Sequence, residues 1–126
     1  MRVEPPEDLI FTGQRSDAGP HVVQMISAQG AEPLPMRLDL ANHSPSGFEW
    51  GYVGAGPAQL ALALCAAIMD SKRAREAYET VEVKLIAPIS TDSWTLSVAQ
   101  VLAVLGRSAK PAWKASPKPW PLGPNP

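Results

Sequence analysis

The chain has 126 residues, 18% of them charged and 45% hydrophobic, with a formal net charge of −1. That length fits one domain, and a charge so close to zero argues neither for nucleic acid nor for a membrane surface as a partner. The charge is uneven: from Arg107 onward there are four basic residues and no acidic one, while the preceding body holds seven basic against twelve acidic residues.

Cys65 is the only cysteine, so no disulfide forms within the chain and a cytoplasmic setting is expected. The opening Met1–Asp8 is polar and acidic, unlike a secretory signal. The longest apolar run, Leu60 to Met69, is half of the roughly 20 residues a bilayer needs, and reads as a buried helix.

Residues 1–7 read as a disordered lead-in, with Pro5-Pro6 against regular structure. Asp8–Thr12 is a strand candidate. Gly13–Pro20 is turn chemistry, and His21–Ile26 is β-branched and apolar, so the two segments predict a hairpin with a long loop. Ser27–Pro33 reads as a loop. Leu34, Met36, Leu38 and Leu40 alternate with Pro35, Arg37 and Asp39, which predicts a half-buried strand over 34–40. Asn42–Gly47 is a turn, and Phe48–Tyr52 alternates as a short returning strand.

Gly56-Pro57 opens the main helix, with proline at its first position, and the helix runs to Met69. Apolar on all sides, it must be covered on most faces. Asp70–Glu76 either extends it or starts a second, exposed turn. Val81–Ile86 alternates and predicts a strand that Pro88 ends. Thr91–Trp94 leads into a last helix, with Ser93 or Thr95 as N-cap, an apolar stripe of Leu96, Val98, Val101, Leu102 and Leu105, and Gly106 as its stop. Residues 107–126 hold six prolines without hydrophobic period and read as a disordered, basic tail. The expected architecture is α+β: a small, mainly antiparallel sheet of four or five strands, one buried apolar helix and a second C-terminal helix, in a single domain over 8–106.

Val53-Gly54-Ala55-Gly56-Pro57-Ala58-Gln59 copies the phosphate-binding turn of dinucleotide enzymes, in which amides at a helix start hold a pyrophosphate. Three features oppose that reading. Gln59 stands where the third glycine belongs, the preceding segment is not a continuous apolar strand, and no acidic residue follows Val81–Ile86 to hold a ribose. No cofactor is expected. A smaller anion or a nucleotide at Gly54, Ala55, Gly56 and Gln59 stays open.

The run His43-Ser44-Pro45-x-Gly47-Phe48-x-Trp50-Gly51-Tyr52-x-Gly54-x-Gly56-Pro57-Ala58-Gln59-Leu60-Ala61-Leu62 resembles the signature of a family of small bacterial proteins of unknown function, also carried by phages and other mobile elements. Phe11-Thr12-Gly13-Gln14-Arg15 is similar to that family's opening aromatic-x-Gly-x-Arg, and Trp94-Thr95-Leu96 to its late helix start. The resemblance spans roughly 9–105. The family often has serine at position 55, where this chain has Ala55. The resemblance implies a compact α+β domain and brings no activity with it.

Cys65 sits mid-helix, where cysteine behaves as a small hydrophobe. Two histidines and one cysteine, scattered, do not supply a metal site. Ser44, Ser46 and His43 read as turn residues. Glu49 is either buried, with a raised pKa suited to acid catalysis, or points outward with Gly47 and Gly51. No catalytic constellation assembles, and the chain is expected to be a non-enzymatic protein that binds a protein partner. His43, Glu49, Trp50, Tyr52, Trp113 and Trp120 are its candidate contact residues. The tail, in which Lys110, Lys114 and Lys118 alternate with Trp113 and Trp120, is read three ways: solvated, docking as a polyproline segment, or weakly binding nucleic acid.

Overall fold

The structure is a computed structural model that describes residues 8–106. Its elements in chain order are β1 (Ile10–Gln14), β2 (Val22–Ser27), β3 (Gly30–Pro33), α1 (Ala55–Ile68), α2 (Ser71–Val81), a π-helical turn (Glu82–Ile86), β4 (Ser93–Ser97) and α3 (Val98–Val104). The fold class is α+β. The four strands form one antiparallel sheet in the order β3-β2-β1-β4. The expected lead-in over 1–7 and tail over 107–126 lie outside the described residues.

The sheet keeps a strict two-residue period. Phe11, Val23, Met25, Trp94 and Leu96 turn inward into the core. On the opposite face register places Thr12 between Gln24 and Thr95, Ile10 between Ile26 and Ser97, and Gln14 between Val22 and Ser93. No charged side chain stands among these nine. Trp94 lies across Gly13 on the inner face, so tightly that a Cβ at Gly13 would meet its indole at 2.2 Å.

Helix α1 is buried along almost its whole length, as its all-round apolarity requires. It begins at Ala55, two residues before the proline, so Pro57 holds the third helical position. Its missing N–H has no intrahelical acceptor there either. Asp70 caps α2 by accepting from the Arg73 amide, and Ser71, Ala74, Ala77 and Val81 make its buried stripe.

Five expected elements differ. Ser27–Pro33 is not all loop: a two-residue turn at Ala28-Gln29 leads into β3, whose Gly30 has φ 126°. Residues 34–40 are not a strand. Leu34 is buried and continues the β3 ladder through its amide to the Val23 carbonyl, but Arg37 then adopts φ 56° and turns the chain away. Phe48–Tyr52 points Phe48 and Trp50 inward as alternation demands, yet pairs with no strand. Val81–Ile86 is helical. The turns of α2 propagate into it, ending in the wider bond from the Ala87 amide to the Glu82 carbonyl before Pro88. Finally, Trp94 and Leu96 belong to β4 with period two. The last helix starts at Val98 behind the N-cap Ser97, whose hydroxyl and Gln100 form a reciprocal capping box.

A Gly13→Val substitution should drive the Trp94 indole from its place on β1. The expected cost is about 1–3 kcal/mol, read as a lowered urea midpoint with an unchanged slope.

Candidate functional site

The functional candidates gather where the β1–β2 loop meets segment 43–54. Arg15 follows β1, and its amide extends the β1–β4 ladder by bonding the Asp92 carbonyl at 2.8 Å. That bond aims its side chain across Trp50. The guanidinium sits 4.7 Å from the Trp50 ring centroid, and Nη2 donates to the Trp50 carbonyl at 3.2 Å. Nη1 donates to Glu49 Oε1 at 2.8 Å, and Nε lies 3.3 Å from Asp92 Oδ1.

His21, just before β2, approaches the other oxygen of the same carboxylate, with Nε2 2.8 Å from Glu49 Oε2. The Ser16 amide donates to its Nδ1 at 3.0 Å. Both bonds form together in a neutral ring with its proton on Nε2 and Nδ1 bare. The 3.4 Å approach of Arg15 Nη1 to Nε2 then sets two donors side by side and is not a hydrogen bond. Both ring nitrogens are therefore committed inside the protein.

Glu49 fits neither sequence alternative. Its side chain is 34% exposed, neither buried nor simply solvated. Burial pushes its carboxyl up, but the hydrogen bonds from Arg15 and His21 outweigh that and hold it below its ordinary value. It stays ionised at neutral pH.

Trp50, expected at the surface, is wholly buried. It stacks edge-on against Trp94 at 5.6 Å, packs 5.2 Å from the His21 ring, and donates Nε1 to the Thr91 carbonyl at 2.9 Å. Its alternation partner in the sequence, Phe48, is buried as well; Tyr52 is 50% exposed. His43 is half-buried with its ring 5.4 Å from that of Tyr78, and its Nε2 is buried without a hydrogen-bond partner. Trp113 and Trp120 lie outside the described residues.

The glycine-proline turn is held from within. The Gly54 amide donates to the Glu82 carboxylate at 2.9 Å, so Glu82, a residue only 6% exposed, sets its carboxylate at the start of α1. Gly56 serves contact: a Cβ there would lie 2.6 Å from Glu49 Cβ. Gly54 is packed by the Tyr52 ring in the same way, at 2.8 Å. Gln59, fully buried, accepts from the His43 and Ser44 amides at 2.7 and 3.1 Å and donates to the Met36 carbonyl at 2.7 Å. The residue that departs from the dinucleotide pattern is thus a structural tie.

Arg15 and His21 were absent from the candidate contact set. The signal for Arg15 was its place in the aromatic-x-Gly-x-Arg opening. Nothing in the spacing pointed to His21, because its partner is 28 residues away. Beside this cluster an open cleft of about 350 Å³ runs between the 19–21 turn and the 44–49 segment, with Pro20, His21, Ser46, Phe48 and Glu49 among its lining. Among the described residues no group of three or more His, Cys, Asp or Glu is placed to hold a metal, and no helix is long and apolar enough to cross a membrane.

A family model described as a family of unknown function (DUF6166) matches residues 11–107. No curated protein matches the chain, and no solved structure does.

The Glu49 shift gives a pH dependence with a defined sign. A carboxyl whose folded value is depressed contributes stability in full above its unfolded value, and that contribution is lost as pH falls through the folded value. The stability gap between wild type and Glu49→Gln should be widest above about pH 5 and shrink below about pH 4.5, measured by urea denaturation from pH 7 to pH 3.

Proposed function

We propose that this chain, which belongs to the DUF6166 family of unknown function, is a non-enzymatic interaction protein that binds another protein. The observation that carries the reading is a set of exposed apolar side chains flanking the start of α1. Tyr52 is 50% exposed, Val53 64% and Val83 56%. The bond between the Gly54 amide and Glu82 brings Val53 and Val83, the residues next to it, to the two sides of one junction. Exposed aromatic and branched side chains gathered at one place mark contact surfaces more often than chance exposure does.

Two further features support it. Arg15 and His21 direct their hydrogen bonds to the protein itself, as a clamp does. The outer sheet face around Thr12 presents no charge, so a protein surface meets no desolvation penalty for ions there. We place the protein in the cytoplasm, and its family among bacterial and phage or mobile-element proteins. The single cysteine and the His43–Leu62 signature support those two assignments.

The reading that puts a small anion or a nucleotide at Gly54–Gln59 requires Glu82 to leave the Gly54 amide first. A thermal shift series with phosphate and nucleotides tests it, and wild type should show no shift.

Val53→Asp and Val83→Asp place a charge in the patch without touching the core. Proteins captured from lysate by wild type should be lost from both variants by at least about tenfold, since a charge buried at an interface costs several kcal/mol. Capture of the same proteins at the same level by all three would remove the patch from consideration.

A further inference from the structure

We propose that the cleft beside Glu49 is a binding site for a primary ammonium group carried on a short alkyl chain. This site is separate from the apolar patch and does not rest on the protein-binding reading.

Arg15 is shared between two carboxylates, Glu49 at 2.8 Å and Asp92 at 3.3 Å, while the His21 ring is neutral by its hydrogen bonds. One cation against two anions leaves the cluster with a single net negative charge. The Arg15 guanidinium lies over Trp50 and outside the cleft lining; Glu49 is within it, and no other lining side chain carries a full charge. Glu49 is therefore the one acidic residue that a ligand in the cleft meets.

Hydrogen-bonding capacity agrees. A carboxylate accepts at about four lone-pair sites. Glu49 uses one on each oxygen, for Arg15 and His21, and its 34% exposure leaves the remainder accessible. Of the two lining hydroxyls, Ser44 Oγ already gives its proton to the Gly47 carbonyl, and Ser46 lies on the exposed rim. A group that only donates suits an acceptor of this kind, and an ammonium has three donors and no acceptor.

Size and lining set the rest. About 350 Å³ lies near the lower end of small-molecule sites, and Pro20 and Phe48 supply apolar surface for a methylene stem. Anions are disfavoured by the Glu49 charge, and a bare hydrocarbon offers no donor to the lone-pair sites that Arg15 and His21 leave open. Two sources carry the favoured chemistry: a lysine side chain presented by a protein, and a free polyamine.

The test is a titration of the full chain followed by amide NMR. n-Butylammonium should move the signals of residues 19–21 and 44–49 and saturate with a Kd of about 1–10 mM, as one charge-assisted contact on a small ligand allows. n-Butanol, the same stem without the charge, should leave them in place. Ser46→Lys sets a competing ammonium at the exposed rim and should weaken n-butylammonium at least about fivefold with the fold intact. Glu49→Gln should weaken it at least about tenfold. Should that variant fail to fold, Ser46→Lys carries the test alone. Putrescine and Nα-acetyl-lysine methylamide then separate the two sources by which binds more tightly. The proposal is overturned if butanol moves the same signals to the same extent, if saturating n-butylammonium moves none of them, or if Ser46→Lys leaves its affinity unchanged.

Discussion

From Leu34 to Gly54 the chain crosses beside the core without a helix or strand of its own. A segment like that carries backbone polar groups that no ladder satisfies, and each one left unpaired in the interior costs about 1–3 kcal/mol. Gln59 meets the largest part of the need. From the middle of an apolar helix its amide reaches three backbone groups at Met36, His43 and Ser44. Glu82 takes the Gly54 amide, Arg15 the Trp50 carbonyl, and the Ile86 carbonyl the Gly51 amide. The partners come from three different parts of the fold, so the irregular stretch is also what joins the sheet loop, α1 and the π-helical turn.

The same constraint explains the glycines. Segment 48–54 can lie close enough to be tied only if nothing stands between it and α1. Gly56 leaves room for the Glu49 stem, Gly54 leaves room for the Tyr52 ring, and Gly51 with φ 92° turns the chain where a Cβ would press on the Ile89 carbonyl at 2.9 Å. A pattern that resembles a cofactor loop thus arises from close packing. The negative charge that such a loop draws from a ligand is supplied here by Glu82. With the segment fixed, Glu49 is held at one side of an open cleft while Trp50 turns inward to stack on Trp94. Adjacent residues of one short stretch therefore face a cleft and a core.

Much of this was legible in the sequence. The α+β class, the β1–β2 hairpin and its long loop, the buried helix and the Gly106 stop follow from period, turn residues and apolarity. The strand over 34–40 was not, because alternation records which side chains are buried and not whether the backbone finds a ladder. Leu34 obeys the pattern and pairs; Arg37 breaks the chain direction with no mark in its residue type. Val81–Ile86 alternates as strands do, but it follows a capped helix whose propagation decides its conformation. The β4–α3 boundary was marked by Ser97 and Gln100, a capping box hidden behind an apolar stripe that continues across it. The site divides the same way. Glu49 and Tyr52 stood out by composition, whereas His21 and Glu82 each lie 28 residues from their partners, a separation that a single sequence does not reveal.

Gln59 holds the 36–44 segment to α1. Amide hydrogen exchange at His43 and Ser44, followed by NMR in wild type and in Gln59→Leu, tests it most directly. The account predicts slow exchange at both amides in wild type. In the variant exchange should be faster by at least about tenfold, while amides in the middle of α1 stay protected. Rapid exchange in wild type, or equal protection in the variant, would contradict it.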